Sequence, residues 1–132
     1  MGDDVPTTDD VSEAEAAAAH EVELALEWLQ RARGRFVEFH HATGHALDHL
    51  DDAEAALRDC GYDDLADEVR DEHLPRGVFE DRWTYDLLEE YEGAFLAPYE
   101  DFEERARERL AGGVRHVRER RQEAEWKERA DR

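Results

Sequence analysis

The chain has 132 residues and carries 37 acidic side chains against 17 Lys and Arg, so its formal net charge is −20. This length suits one domain and excludes a large multidomain enzyme. No apolar run approaches the roughly 20 residues that a membrane-spanning helix needs, and the acidic residues 1–4 are unlike a secretory signal, so we expect a protein that works in the cytoplasm.

The first predicted element is a long helix. Ser12 followed by Glu15 matches the capping box that begins many helices. From there apolar residues recur every three or four positions along one stripe, as in a helix that packs along one face. Gly61 is a natural helix end. The pattern therefore predicts one helix over about residues 12–60, and a bend near Gly44 is an option that it leaves open.

Two further helices follow in the chain. Asp63 can cap a short helix over about residues 64–74, which ends before Pro75. A second long helix is predicted over about residues 81–130, where apolar residues again recur at helical spacing. Pro98 kinks this helix or restarts it, because its ring excludes an interior hydrogen bond.

The charge distribution indicates how the two long helices meet. Residues 105–132 hold ten basic side chains against six acidic ones, a net charge of +4, whereas residues 1–104 carry −24. An antiparallel arrangement places the acidic start of the chain beside its basic end. Single surface ion pairs contribute only about 0–1 kcal/mol each, so this pattern speaks to alignment more than to stability.

The predicted fold class is all-α. It consists of a long antiparallel helical hairpin, formed by residues 12–60 and 81–130, with the short helix 64–74 at the closed end. We expect residues 1–11 to be a disordered acidic tail and residues 12–132 to form a single helical domain.

Histidines supply the one candidate metal motif. His41, His45 and His49 lie four residues apart on one helix face, a workable half-site for Zn²⁺, Ni²⁺ or Cu²⁺. The heptad count places them on the outer face, where ligands from another helix cannot converge, so a solvated polar face is favoured. A di-metal carboxylate bundle would need two Glu-x-x-His motifs, and Glu38-x-x-His41 is the single occurrence.

Catalytic patterns are missing from the sequence. The one serine, Ser12, is a helix cap, and Cys60, the one cysteine, has no histidine near it in the sequence. A lone cysteine also fits a reducing compartment. The sequence contains no phosphate-binding glycine loop. We therefore expect no catalytic residues, no bound metal and no cofactor.

Three apolar residues fall outside the predicted core and are candidates for protein contacts. Leu24 and Trp28 lie four residues apart, away from the main apolar stripe, and Trp126 lies beyond its end. Exposed apolar groups that cluster usually mark a contact surface. Self-association or binding to another protein is the expected use. A basic C-terminal helix that binds nucleic acid is a weaker alternative, because glutamates interleave its arginines.

The composition carries a resemblance. Sixteen of the seventeen basic residues are Arg, and the chain lacks Ile and Asn, which is typical of a GC-rich genome. Together with the acidity, this resembles small acidic helical proteins of halophilic archaea. The resemblance implies a cytoplasm at molar salt and no particular activity. The leading hypothesis is a non-enzymatic helical interaction protein, and the alternative is a metal-binding helical protein that uses the histidine cluster.

Overall fold

The computed structural model describes residues 8–130. Its helices are α1 Glu13–Asp59, α2 Asp63–Glu68, α3 Thr84–Tyr91, α4 Ala97–Ala111 and α5 Val117–Ala130. Two π-helical segments, Val69–His73 and Glu92–Leu96, continue α2 and precede α4. The described residues contain no strand, only an isolated bridge between Phe79 and Arg82. The all-α prediction is confirmed.

Helix α1 confirms the prediction of one unbroken helix. It begins with the predicted capping box, in which the Glu15 amide donates to Oγ of Ser12 at 3.0 Å and the Ser12 amide donates to the Glu15 carboxylate at 2.9 Å. These bonds satisfy two backbone donors that a helix start leaves open. The helix runs through Gly44 without interruption and ends at Asp59, and Gly61 then adopts a φ of +91°.

The second long helix, predicted over residues 81–130, is interrupted. It begins at Thr84 and stays helical to Ala111, but the π-helical segment Glu92–Leu96 comes directly before α4, which has Pro98 in its first turn. The wider π turn lies where the proline removes a regular helical hydrogen bond. A further break, which was not predicted from the sequence, separates α4 from α5. Gly112 caps α4 in the left-handed conformation with a φ of +60°, and Gly113 follows at +85°. Two consecutive left-handed residues cannot continue a right-handed helix.

The chain divides into two units, which we describe separately. The first combines Met1–Gln30 with Phe95–Arg132, and the second is Arg31–Ala94. The core of the first unit contains Ala16, Ala111 and Val117, with Val11 and Val114 packed against them. Most of the predicted tail, residues 1–7, lies outside the described residues. The single domain predicted over residues 12–132 stays a prediction.

In the second unit, α1 packs against the segments that follow it. Nδ1 of His40 lies 2.6 Å from the hydroxyl oxygen of the buried Thr84, the first residue of α3. The rings of Phe36 and Tyr91 are 6.0 Å apart. These contacts fix the alignment of α1 with α3 within this unit. Among the described residues, no helix combines the length and the apolar content that crossing a membrane requires.

Candidate functional site

Helices α1 and α5 run antiparallel in the first unit. His116 contacts Glu23, Glu119 contacts His20, and Arg121 contacts Glu13, so positions on α1 fall as positions on α5 rise. Arg121 also donates from Nη2 to the carbonyl oxygen of Val11 at 2.6 Å. This guanidinium therefore ties the segment before α1 to α5.

Two His-x-x-Glu motifs meet at this crossing. His20 and Glu23 lie one turn apart on α1, and His116 and Glu119 lie three residues apart at the start of α5. Each histidine faces the glutamate of the other motif: Nδ1 of His20 is 3.5 Å from Oε2 of Glu119, and Nδ1 of His116 is 3.9 Å from Oε2 of Glu23. The backbone amide of His116 also donates to Oε2 of Glu23 at 2.8 Å. The motifs thus form a reciprocal arrangement of two imidazoles and two carboxylates.

Three of these residues form a candidate cation site. One ligand atom each from Glu23, His116 and Glu119 lies within 4.8 Å of the other two. Within residues 8–130, this is the one group of three or more histidine, cysteine or acidic side chains that is close enough to hold a metal ion. Nitrogen and oxygen donors of these types bind Zn²⁺ and related divalent metals.

The break between α4 and α5 positions His116. This residue has a left-handed backbone with a φ of +60°, and its carbonyl accepts the amide of Arg120 as α5 begins. A Cβ on Gly113 would lie 2.8 Å from a carboxylate oxygen of Glu108, so another residue there would displace that side chain. The glycine pair therefore allows the turn that brings His116 back to α1.

The crossing borders a cavity of about 510 Å³ in the first unit. The cavity is lined by His20, Glu23, Leu24, Leu26, Glu27, Gln30, Glu103, Arg115, His116 and Glu119. Four carboxylates and one guanidinium face it, which gives the lining an excess of negative charge. A cavity of this size has room for several water molecules or a small ligand beside the four motif residues.

A buried ion pair lies on one side of the cavity. Both carboxylate oxygens of Glu103 accept hydrogen bonds of 3.2 Å from Nη1 of Arg107, and the two side chains are only 4% and 8% exposed. Within the described chain, Nε of Arg107 is buried without a hydrogen-bond partner. The phenol of Tyr99 donates to the carbonyl oxygen of Val22 at 2.9 Å, and burial together with the Glu103 charge raises the pKa of Tyr99. Glu103 and Arg107 both lie on α4, so the contact that ties α4 to α1 here is the hydrogen bond from Tyr99 to Val22.

The three contact residues predicted from the sequence do not form one patch. Leu24 is half-buried and lines the cavity, whereas Trp28 and Trp126 are 58% and 54% exposed and are not part of the lining. The contact of Glu23 with His116 puts Trp28 and Trp126 on opposite sides of the crossing. They are separated by about 15 residues of helix, or roughly 22 Å. Leu24 and Trp28 remain neighbours on α1.

The histidine cluster lies elsewhere on α1. His41, His45 and His49 are exposed residues of the second unit. In the described part of the chain they do not join a group with metal-ligand spacing. Four residues of the crossing were not predicted from the sequence, because the motif expected of a metal site was Glu-x-x-His: they are His20, Glu23, His116 and Glu119. Their signal is the reverse motif, His-x-x-Glu, which occurs twice in the sequence, at these two places.

Comparison with known proteins found no relative whose functional residues could be mapped onto this chain. The chain matches no protein-family model, no curated protein and no solved structure.

Proposed function

We propose that this protein is a self-associating helical interaction protein of a high-salt cytoplasm, in which a second copy of the chain covers exposed aromatic side chains. The observation that carries the proposal is where the aromatic residues lie. Eight of the chain's twelve aromatic side chains are at least 44% exposed. They are Trp28, Phe39, Tyr62, Phe79, Tyr85, Phe95, Phe102 and Trp126.

The apolar side chains in the core are smaller than these exposed aromatic ones. The buried apolar residues of the described chain are Ala16, Ala19, Ala66, Val69, Leu96, Ala111 and Val117. Most of them are alanine, and one is as large as leucine. A folded chain normally buries its largest apolar side chains first, because each removes the most surface from water. Aromatic residues left on the surface in this number favour a protein partner.

The high-salt setting supports a second copy as that partner. Within one chain the acidic start of α1 already contacts α5, through Glu13 and Arg121, so the contact between copies does not depend on this charge complementarity. A two-fold symmetric contact would use each surface twice. Molar salt shortens the Debye length to about 3 Å and strengthens apolar association, so two chains of net charge −20 approach at little electrostatic cost.

The antiparallel helical hairpin, with the short helix at its closed end, also stands as part of this proposal. Each unit taken alone supports it. In the first unit α1 contacts α5 through Glu23 and His116, and in the second unit Arg33 of α1 pairs with Glu92.

Light scattering in 2 M KCl tests the proposal on the native chain and on Trp28→Ala. We expect a native dimer or higher oligomer that the substitution weakens at least tenfold, since a tryptophan at an interface hot spot is worth about 2 kcal/mol or more. Leu65→Ala is the matched control, because Leu65 is 46% exposed, is not one of the eight exposed aromatic residues and lies in the other unit. A native monomer would refute self-association, and equal effects of the two substitutions would remove Trp28 from the contact.

A further inference from the structure

The crossing of the two His-x-x-Glu motifs carries an inference that is independent of self-association. His20, Glu23, His116 and Glu119 come from segments about 93 residues apart, yet each histidine meets the glutamate of the other motif. A mixed imidazole and carboxylate donor set on two elements is typical of metal centres.

We propose that Glu23, His116 and Glu119 bind one divalent transition-metal cation of the Zn²⁺ class, and that His20 positions Glu119. The donor atoms of the three ligands already lie within 4.8 Å of one another. Around a tetrahedral Zn²⁺ with bonds of about 2.0–2.1 Å, donors are about 3.3–3.5 Å apart. The donor atoms would reach these shorter distances by rotation of the His116 and Glu119 side chains. Both have room to rotate, because they are 60% and 52% exposed.

The third ligand is held more firmly. Glu23 is only 14% exposed, and the His116 amide fixes its Oε2 at 2.8 Å. A carboxylate has a second oxygen and further lone pairs, so this hydrogen bond leaves it able to bind a cation. In metal sites, hydrogen bonds from groups that do not touch the metal orient the residues that bind it. The backbone N–H of His116 orients Glu23 in the same way.

The surrounding charge suits a divalent cation. Four carboxylates line the cavity, and one of them, Glu103, is paired with Arg107. The other three carboxylates are partly balanced by the one guanidinium of the lining, Arg115. The lining therefore has a net charge of about −2 when the histidines are neutral. Imidazole selects Zn²⁺, Ni²⁺, Cu²⁺ or Fe²⁺ over Mg²⁺ or Ca²⁺. Three protein ligands beside an open cavity leave a fourth position for water or a small ligand.

The experiment uses the full chain without a histidine tag, stripped with chelator and titrated with Zn²⁺ by calorimetry and with Co²⁺ by visible absorption. We expect one ion per chain and a Co²⁺ spectrum of tetrahedral intensity. Glu119→Gln and His116→Gly should each weaken binding at least 100-fold. Glycine is chosen for position 116 because it accepts a positive φ. His20→Gln should weaken binding about 10- to 100-fold, as removal of outer partners does.

The matched control replaces His41, His45 and His49 together by Gln, and it should bind Zn²⁺ as the native chain does. Circular dichroism checks the fold of each variant. Should His116→Gly lose helicity, Glu119→Gln decides, because Glu119 is half exposed and glutamine preserves its shape. Three outcomes would each overturn the site: no saturable binding by the native chain, saturable binding that disappears in the control, or unchanged binding in Glu119→Gln. The four residues would then be an ion-pair network without a metal. None of these outcomes affects the test of self-association.

Discussion

The backbone N–H of His116 donates a hydrogen bond of 2.8 Å to Oε2 of Glu23, which lies 93 residues earlier in the chain. The bond joins the start of α5 to the middle of the first unit's α1 segment, where a carboxylate also interacts favourably with the positive end of the α5 helix dipole.

Replacement of Glu23 should therefore loosen the start of α5. We expect Glu23→Ala to lower the free energy of unfolding by about 1–2 kcal/mol, because a charge-assisted hydrogen bond is lost and the His116 amide becomes exposed to water. Denaturant titration at constant KCl concentration measures the change. Glu21→Ala is the control, since Glu21 is an exposed neighbour with the same charge and helix propensity. Equal stabilities of the two variants would contradict the role given to Glu23.

The buried pair of Glu103 and Arg107 gives a second prediction. Arg107→Met alone should destabilise the fold by about 3 kcal/mol, because it leaves the Glu103 carboxylate buried without its partner. The double variant Glu103→Leu/Arg107→Met should recover most of that loss, since well-packed apolar side chains often replace a buried ion pair at no cost. Thermal unfolding of both variants checks this. A double variant at least as unstable as Arg107→Met alone would show that the intact pair stabilises the fold more than apolar side chains in its place do.

The capping box at the start of α1 predicts a pH dependence. The amide of Ser12, followed by its hydroxyl, lowers the pKa of Glu15 below its ordinary value of about 4.3. A carboxyl whose pKa is lowered by folding stabilises the fold above its unfolded pKa, and this contribution is lost as the pH falls through the folded pKa. Ser12→Ala should therefore lower the melting temperature by roughly 4 °C at pH 7.

The same variant should differ less from the native chain as the pH falls through the folded pKa of Glu15, because the carboxyl group is then protonated in both. Melting curves at several pH values and constant salt test the convergence. Thr8→Ala serves as control for a hydroxyl outside the box. A constant difference between Ser12→Ala and the native chain at every pH would show that the Ser12 hydroxyl does not interact with the Glu15 charge.

The net charge of −20 predicts that folding depends on salt. Below about 0.5 M KCl, repulsion among the acidic side chains should reduce helicity and the melting temperature, because the Debye length grows and screening fails. Circular dichroism during dilution from 2 M to 50 mM KCl follows the loss. Sucrose at matched water activity is the control, since it favours compact states without screening charge. Unchanged helicity and melting temperature at 50 mM KCl would contradict the high-salt proposal.

The sequence by itself determined the local structure. Three local signals predicted α1 and the start of α4: the Ser12–Glu15 capping box, the apolar spacing up to Gly61 and the position of Pro98. These signals could be read from the sequence because caps, helical periodicity and proline act within a few residues of the chain. The all-α class followed from the same signals. The glycine pair at residues 112–113 was visible as well, and because a Gly-Gly dipeptide marks turns, the break between α4 and α5 could have been predicted from it.

The tertiary structure determined which residues from distant parts of the chain lie beside each other. The pairing of His20 with Glu119 and of His116 with Glu23 depends on where α4 ends and on how α5 returns to α1, and both depend on the left-handed residues after Ala111. Helical periodicity fixes which face of a helix is apolar and says nothing about the register of two helices separated by 90 residues. Only the folded chain could show that the reverse motif occurs on two surfaces that meet.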